Sequence, residues 1–171
     1  IVVACNPLYA PPELEHQLND CGAKLMLVMS RFYPVVKKIQ DQTKLEKVIV
    51  TNIKEYFPFL TKALFTLLME KKSGDRVDLA PDDVWFQNLL SRYDSEDRPQ
   101  VDIDPDTDVA IFQYTGGTTG IPKGAMATHK NLVANSLQIK AWISDTTYAG
   151  EVVLVARSEE RRVGKECATG C

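Results

Sequence analysis

The sequence predicts an α/β fold in which buried parallel strands alternate with helices. Five short runs are fully apolar or rich in β-branched residues, a composition typical of buried parallel strands. They are IVVA from Ile1, KLMLVM from Lys24, KVIVT from Lys47, VAIFQY from Val109 and EVVLVA from Glu151. Helical patterns separate the first three runs. The order strand, helix, strand, helix, strand predicts a right-handed βαβαβ unit.

The first predicted helix occupies PPELEHQLNDCG, residues 11–22. It begins with two prolines, carries Glu13 and Glu15 in its first turn and ends at Gly22. Prolines and acidic residues at the start, with glycine at the end, are the signals expected of helix termini. The second predicted helix occupies SRFYPVVKKIQDQ, residues 30–42. Its Pro34 must lie in the first turn, where the missing N–H is not needed.

A third predicted helix lies within EYFPFLTKALFTLLMEKKSGDR, residues 55–76, and is hydrophobic almost all round. The apolar residues that surround it are Phe59, Leu60, Leu64, Phe65, Leu67, Leu68 and Met69. The segment is too short to span a bilayer. One interpretation is burial against the rest of the protein. The other is contact with a membrane surface or with the path of an apolar substrate.

Two further segments precede the fourth predicted strand. DDVWFQNLL, residues 82–90, predicts a short helix with Asp82 or Asp83 as its N-cap. The acidic stretch YDSEDRPQVDIDPDTD, residues 93–108, predicts a solvent-exposed connector.

Composition limits the class of protein. The chain has 171 residues, of which 44% are hydrophobic and 25% are charged, ordinary values for one soluble globular domain. Its net charge of −3 does not favour nucleic acid or an anionic membrane as a partner. No run reaches the roughly 18 apolar residues of a membrane-spanning helix. Cys5 and Cys21 show no metal-ligand spacing, and we expect reduced thiols in a cytosolic protein.

Both ends of the chain predict truncation. IVVACNPLYA starts without Met, a basic region or a cleavage site, so we expect no signal peptide and a start inside a strand. RSEERRVGKEC, from Arg157 to Cys167, is densely charged and resembles the translation of a sequencing-adapter read-through. We therefore expect a native part of residues 1–156 and a non-native tail of residues 157–171. The alternative is a solvated basic tail.

The stretch YTGGTTGIPKG, from Tyr114 to Gly124, combines glycines, threonines and a lysine in one short loop. It follows the strand VAIFQY and precedes the strand-like GAMATH. A helix is predicted from about residue 130 to residue 143, with Thr128 as its N-cap. A glycine-rich turn after a buried strand lets backbone N–H groups converge on an anion.

The residue types of this loop suit a phosphate. Glycines permit close approach of the backbone, threonines add hydroxyl donors, and Lys123 adds a positive charge just after the stiffening Pro122. The candidate phosphate-binding residues are Thr115, Gly116, Gly117, Thr118, Thr119, Gly120, Lys123 and Gly124. The stretch is neither a Walker A loop, since Gly124 follows Lys123, nor a G-x-G-x-x-G dinucleotide fingerprint. A flexible connector is the alternative.

The residues YTGGTTGIPKGAMATHKNLVAN, from Tyr114 to Asn135, closely resemble the signature of adenylate-forming enzymes. That superfamily contains acyl-CoA synthetases, luciferases and the adenylation domains of peptide synthetases. Every position of the signature is filled here, and its Gly-Gly pair is typical of some fatty acyl-CoA ligases. NPLYAPPELEHQLNDCGAK and AWISDTTYAGEVVLV also resemble prokaryotic long-chain fatty-acid–CoA ligases. The resemblance covers residues 1–156.

The resemblance implies a partial Rossmann-like βαβ sheet from the large N-terminal domain of an adenylate-forming enzyme. It implies that the candidate residues hold the β- and γ-phosphates of ATP, together with Mg²⁺, while a fatty acid becomes acyl-AMP and passes to coenzyme A. The implied partners are therefore fatty acid, ATP and coenzyme A, without nucleic acid. The implied location is the cytoplasm, with peripheral contact at the inner face of the membrane through residues 57–69. His129, at a helix start, is expected to be structural.

Several parts that the superfamily uses do not occur in these 171 residues. They are an aromatic-Gly-x-Thr-Glu segment whose Glu helps to hold Mg²⁺, an Asp for the ribose hydroxyls, a hinge and a C-terminal domain with a catalytic Lys. No catalytic residue or metal ligand is identified, and we expect no fatty-acid-dependent ATP–pyrophosphate exchange from this chain alone. The alternatives are an adenylating enzyme for an aryl, medium-chain or amino acid, a non-catalytic nucleotide-binding module and a structural α/β domain.

Overall fold

The computed structural model of the chain describes residues 1–115 and 122–143. The chain divides into a unit of residues 1–132 and a second unit of residues 133–171, of which residues 133–143 are described. In chain order the elements are β1 (Val2–Val3), α1 (Pro11–Cys21), β2 (Leu25–Met29), α2 (Tyr33–Ile39), β3 (Lys47–Thr51), α3 (Phe59–Leu68), β4 (Val84–Trp85), α4 (Phe86–Arg92), β5 (Val109–Thr115), β6 (Lys123–Thr128) and α5 (His129–Trp142). The predicted strand EVVLVA lies outside the described residues.

The described strands form two sheets. One sheet has the order β2-β3-β4 and is parallel throughout, with Leu25 opposite Lys47 and Ile49 opposite Val84. In the other sheet, β1 pairs with β5 in parallel and β5 pairs with β6 in antiparallel orientation. Helices therefore alternate with parallel strands, and the predicted α/β class is confirmed.

The predicted βαβαβ unit is divided between these two sheets. α2 connects β2 to β3 as expected, but β1 lies beside β5, with Val2 opposite Ile111. The prediction that β1 belongs to the same βαβαβ unit as β2 and β3 was therefore wrong. Local apolar patterns indicate which segments are strands, whereas the choice of neighbour depends on contacts with residues far along the chain.

The first two helices confirm their predicted terminal signals. α1 ends where Gly22 adopts a φ of 62°, a left-handed conformation that glycine accepts readily. At its start, Glu13 Oε2 accepts a hydrogen bond from Ala10 N at 2.9 Å. α2 carries Pro34 in its first turn. These residues satisfy or remove backbone groups that would otherwise lack partners at helix ends.

The core lies between the β2–β3 pair and the helices α1 and α2. Its buried residues are Leu14, Leu18, Val28, Tyr33, Val36, Ile39, Leu45, Val48 and Val50. Along β3, burial alternates, since Val48 and Val50 are fully buried whereas Lys47 is exposed. On β2, Leu25 and Leu27 are 61% and 56% exposed. The described residues therefore leave part of one sheet face uncovered, unlike the two-sided burial typical of parallel sheets.

The predicted N-cap at Asp82 or Asp83 was wrong. Residues Val84–Trp85 form β4, and α4 begins at Phe86 with no side-chain cap. Asp82 is exposed, whereas Asp83 is buried. The sequence pattern predicted a helix that starts too early, because residues Val84–Trp85 pair with the distant strand β3 instead of joining the helix.

Asp83 instead joins three elements through its carboxylate. It accepts hydrogen bonds from Tyr33 Oη at 2.7 Å, Lys37 Nζ at 3.0 Å and Val48 N at 3.0 Å. Burial acts to raise the pKa of Asp83, but these hydrogen bonds and the Lys37 charge outweigh it and lower the pKa below its ordinary value. The ionised carboxylate therefore holds α2, β3 and the start of β4 together.

α3 packs on the rest of the chain through its polar side. Lys62 Nζ donates to Glu55 Oε2, and the rings of Phe57 and Phe65 pack edge to face with centroids 5.4 Å apart. No residue of α3 is buried, so the burial expected for this helix is not found among the described residues. In the described ranges, every helix falls short of the length and apolar content that crossing a bilayer requires.

The segments around β6 agree with the sequence patterns. The described side chains of residues 93–108 are all exposed, as predicted for the acidic connector. Thr128 caps α5 as predicted, because its Oγ1 accepts from Asn131 N at 3.3 Å. In return, Asn131 Oδ1 accepts from Thr128 N at 3.0 Å. This reciprocal pair satisfies two backbone donors at the start of the helix.

Candidate functional site

β5 and β6 carry the two ends of the candidate loop. The strands are antiparallel neighbours, with Tyr114 opposite Gly124 and Thr115 opposite Lys123. The loop therefore begins and ends at directly paired residues. Five predicted contacts, and the side chain of a sixth, lie outside the described residues: Gly116, Gly117, Thr118, Thr119, Gly120 and the side chain of Thr115. Their contact with phosphate stays a prediction.

Lys123 is the first residue of β6, and its side chain is exposed. Because it pairs with Thr115, its backbone lies beside the residue at which the loop begins. An ammonium group at this position can approach an anion that backbone N–H groups of the loop hold. Contact of Lys123 with phosphate stays a prediction.

Gly124 has a packing role that the sequence did not reveal. A Cβ at this position would lie 3.1 Å from Cζ and 3.3 Å from Cε2 of the Tyr114 ring. A larger residue at this position would require the ring to shift by a few tenths of an ångström. Contact of Gly124 with phosphate stays a prediction beside this observed role.

Tyr114 links the loop frame to α1. Its side chain is buried, and its hydroxyl donates a hydrogen bond to Asp20 Oδ2. Burial raises the pKa of Tyr114, and the neighbouring Asp20 carboxylate raises it further. The phenol therefore stays neutral and keeps donating. Sequence reasoning missed this pair because 94 residues separate its members, and the only signal was the aromatic position of the signature.

Two thiols lie near this phenol. Charge on Cys21 or Cys5 would raise the pKa of Tyr114 still further, which indicates their proximity. Burial raises the pKa of Cys5 to about 11, with a contribution from Cys21. Both cysteines are free thiols. Since the thiolate is the nucleophilic form, Cys5 does not suit covalent catalysis.

His129 lies at the start of α5 and is half-buried. Its backbone N donates to Asp108 O at 3.3 Å, which ties the helix start to the end of the acidic connector. This bond involves the backbone, and the structural role expected for the imidazole stays a prediction. Within residues 1–115 and 122–143, no three His, Cys, Asp or Glu side chains gather as metal ligands.

A match over nearly the whole chain identifies its family. Residues 1–157 match the AMP-binding enzyme family, a range that contains the whole β5–β6 frame. The chain belongs to the AMP-binding enzyme family. This assignment confirms the resemblance to adenylate-forming enzymes that the signature predicted.

Individual AMP-binding relatives agree with this assignment. A long-chain-fatty-acid–CoA ligase of Bacillus subtilis (strain 168) is 35% identical over 154 residues, which are 90% of this chain and 28% of that relative. The crystal structure of a long-chain-fatty-acid-CoA ligase from Archaeoglobus fulgidus is 34% identical, with a TM-score of 0.58 over 83% of this chain and 22% of that chain. A red-emitting luciferase from Phrixothrix hirtus shares the fold at 21% identity, with a TM-score of 0.60 over 88% of this chain and 25% of that one.

Proposed function

We propose that this AMP-binding chain is part of an ATP-dependent ligase that activates a long-chain fatty acid as acyl-AMP and transfers it to coenzyme A. The observation that carries the proposal is the signature from Tyr114 to Gly124, whose ends the β5–β6 pair brings side by side. The family match and the names of the two ligase relatives support it. Because the chain spans 28% of the Bacillus subtilis relative, the activity is assigned to a longer protein.

In the proposed reaction, a carboxylate oxygen of the fatty acid attacks the α-phosphorus of ATP, and pyrophosphate leaves. The sulfur of coenzyme A then loses its proton and attacks the carbonyl carbon of acyl-AMP, and AMP leaves. Negative charge builds on the departing pyrophosphate in the first step. We assign its stabilisation to the N–H groups and hydroxyls of residues 115–120 and to the ammonium of Lys123.

Mg²⁺ is the cation proposed to accompany ATP, because it binds and neutralises phosphate oxygens. The donors of the loop are N–H, hydroxyl and ammonium groups, which fit an anion rather than a cation. We therefore assign the loop to the phosphates and assign no described residue to Mg²⁺.

Hydrogen exchange tests the phosphate assignment. We expect ATP to slow exchange in residues 115–124, and we expect Lys123→Ala to require about tenfold more ATP for the same protection. Lys130→Ala is the matched control, since Lys130 lies seven residues further on and its ammonium bonds Asp106. Equal loss of protection in both variants, or none in either, would contradict the assignment.

We also propose that residues 1–156 are a partial adenylation domain and that residues 157–171 are a non-native tail. The abrupt change to dense charge from Arg157 and its likeness to translated adapter support this division. The untrimmed nucleotide read around Ala156 tests it. Adapter sequence is expected there, and a continuous native reading frame through Arg157 would contradict the proposal.

We propose that the protein is cytoplasmic and that residues 57–69 contact the inner face of the membrane. At about 100° per residue, one side of α3 spans an arc of about 180° that is wholly apolar. Its members are all exposed: Phe59, Leu60, Ala63, Leu64, Leu67 and Leu68. Lys62 and Phe65 lie on the opposite side and face the chain. An apolar side directed outward suits the boundary between lipid headgroups and acyl chains.

The segments on both sides of α3 hold it in this orientation. Asn52 Nδ2 donates to Glu70 Oε1 at 3.1 Å and to Asp75 O at 3.0 Å, while Arg31 pairs with the Asp75 carboxylate at 3.0 Å. These bonds tie the chain after α3 to the ends of β2 and β3. Lys71 and Lys72 follow the helix and are exposed, so anionic headgroups would find cations beside the apolar side.

Binding to lipid vesicles tests the contact. Leu60→Gln combined with Leu67→Gln removes two side chains from the centre of the apolar side, and we expect partition onto phosphatidylcholine–phosphatidylglycerol vesicles to fall on the order of 100-fold. Thr61→Gln combined with Thr66→Gln is the matched control on the same helix. Equal binding of both double variants, or no binding by the unchanged chain, would contradict the membrane contact.

A further inference from the structure

One hydrogen bond ties the strand that enters the phosphate loop to a helix. Tyr114, the residue before Thr115, donates through its hydroxyl to Asp20 Oδ2 of α1. The same side chain is 9% exposed and packs its ring against the backbone at Gly124. Tyr114 therefore joins α1, β5 and β6 at residues that flank both ends of the loop.

Asp20 occupies a position that helix formation by itself does not favour. It is the second-last residue of α1, and no basic residue lies in that last turn. A negative charge at a helix C-terminus opposes the helix dipole. The charge-assisted hydrogen bond from Tyr114 compensates this unfavourable placement. Asp20 is therefore unfavourable for the helix alone, and its placement is explained by its distant partner in the tertiary structure.

The helix that carries Asp20 is itself tied to the sheet. Gln17 is 2% exposed, and its Nε2 donates to Ala4 O, next to β1, at 3.0 Å. Gln17 and Asp20 are three residues apart and share one side of α1. Since β1 and β5 are neighbours, this side of α1 contacts both strands through polar bonds. Asp20 therefore holds Tyr114 against a helix that is already anchored.

We propose that Asp20 is a positioning residue for the phosphate loop and acts through Tyr114. By restraining Tyr114, it restrains the next residue, Thr115, where the loop begins. A restrained Thr115 backbone loses less conformational entropy when ATP binds next to it. This inference rests on the proposed role of the loop in binding the phosphates of ATP. Loss of the Asp20 bond weakens that binding without removing a contact to the nucleotide.

Three variants of the full chain separate this bond from general stability. Tyr114→Phe keeps the ring on Gly124 and removes only the hydroxyl, Asp20→Ala removes the acceptor, and Asp20→Asn keeps an acceptor without charge. Glu15→Gln is the matched control, a carboxylate-to-amide change on the same helix. Without nucleotide, we expect hydrogen exchange in residues 115–124 to be on the order of tenfold faster in Tyr114→Phe and Asp20→Ala. The change should be smaller in Asp20→Asn, and the control and the β2–β3 amides should be unaffected.

Addition of ATP tests the coupling to binding. We expect Tyr114→Phe and Asp20→Ala each to need about tenfold more ATP for equal protection, and the double variant to need no more than either one, since both lose one shared bond. Unchanged loop exchange in both single variants, or equal acceleration of the β2–β3 amides, would overturn the positioning role. Absence of ATP protection in the unchanged chain would overturn the proposed phosphate function, while the nucleotide-free exchange decides separately whether Asp20 orders the loop.

Discussion

Gly124 and Tyr114 show that residues of a loop signature can have packing roles. The Tyr114 ring lies across the β6 backbone, and a Cβ at position 124 would approach Cζ to 3.1 Å. The ring has little freedom to move away, because its hydroxyl is bound to Asp20 and its side chain is buried. Glycine therefore lets the ring approach the backbone without a clash.

Substitution of Gly124 by alanine is expected to destabilise the fold by about 1–2 kcal/mol, because the new methyl group overpacks the ring. Urea denaturation measures this free energy of unfolding. Ala125→Ser, at the next and exposed position, is the control and should change it by less than about 0.5 kcal/mol. In a Tyr114→Leu background the penalty should shrink, and an equal penalty in both backgrounds would contradict this explanation.

β4 lies directly after a buried carboxylate that binds other elements. Its two residues, Val84 and Trp85, pair with β3, and the preceding Asp83 binds α2 and β3. A two-residue strand forms few hydrogen bonds with its neighbour. We therefore infer that the Asp83 carboxylate maintains the pairing register of β4 with β3.

Asp83→Asn is expected to lower the free energy of unfolding by about 2–4 kcal/mol. In the unchanged chain, Lys37 Nζ lies 3.0 Å from the Asp83 carboxylate. The amide keeps the shape of the side chain but leaves this ammonium without its counter-charge. Chemical denaturation at pH 7 measures the loss. Asp82→Asn, an exposed neighbour, should stay within about 0.5 kcal/mol of the unchanged chain. A similar loss in both variants would contradict the assignment.

The stability of the fold should depend on acidic pH through the same Asp83 carboxylate. The pKa of Asp83 is lowered in the fold, so its contribution is present above the unfolded pKa of about 3.9 and is lost as the pH falls through the folded value. The unchanged chain should therefore lose stability below about pH 4, and Asp83→Asn should lose less over that range.

The sequence pattern of α3 predicts the helix but not its orientation on the chain. Its sequence predicts a hydrophobic helix, and a helix forms from Phe59 to Leu68. The pattern by itself does not indicate which side of the helix faces the chain. The contacts of Phe65 with Phe57 and of Lys62 with Glu55 decide that orientation.

For the molecule as a whole, the buried thiol of Cys5 should make stability depend on alkaline pH. Its pKa is raised from 9.0 to about 11 by burial, so the neutral form is favoured in the fold. Its contribution is complete below pH 9 and is lost as the pH rises through about 11. Thermal unfolding from pH 8 to 11 measures the decline. Cys5→Ala should show a flatter pH profile over this range, and an identical profile would contradict the assignment.

The sequence by itself determined the local elements and the family of this protein. The α1 terminus at Gly22, the first-turn Pro34, the Thr128 cap and the signature from Tyr114 to Gly124 were all readable from a few neighbouring residues. Backbone conformational preferences, apolar periodicity and hydrogen bonds at helix ends act over such short ranges. These features can therefore be predicted without knowledge of the surrounding structure.

Only the tertiary structure decided which of these pieces meet. β1 joins β5 rather than β2, Asp83 binds α2 and β3 rather than capping a helix, and Asp20 reaches Tyr114. Each of these contacts joins residues far apart along the chain, and its stability comes from burial and hydrogen bonds that exist only after the chain has folded. The signature from Tyr114 to Gly124 was therefore visible in the sequence, whereas the contacts that hold the strands on either side of it were not.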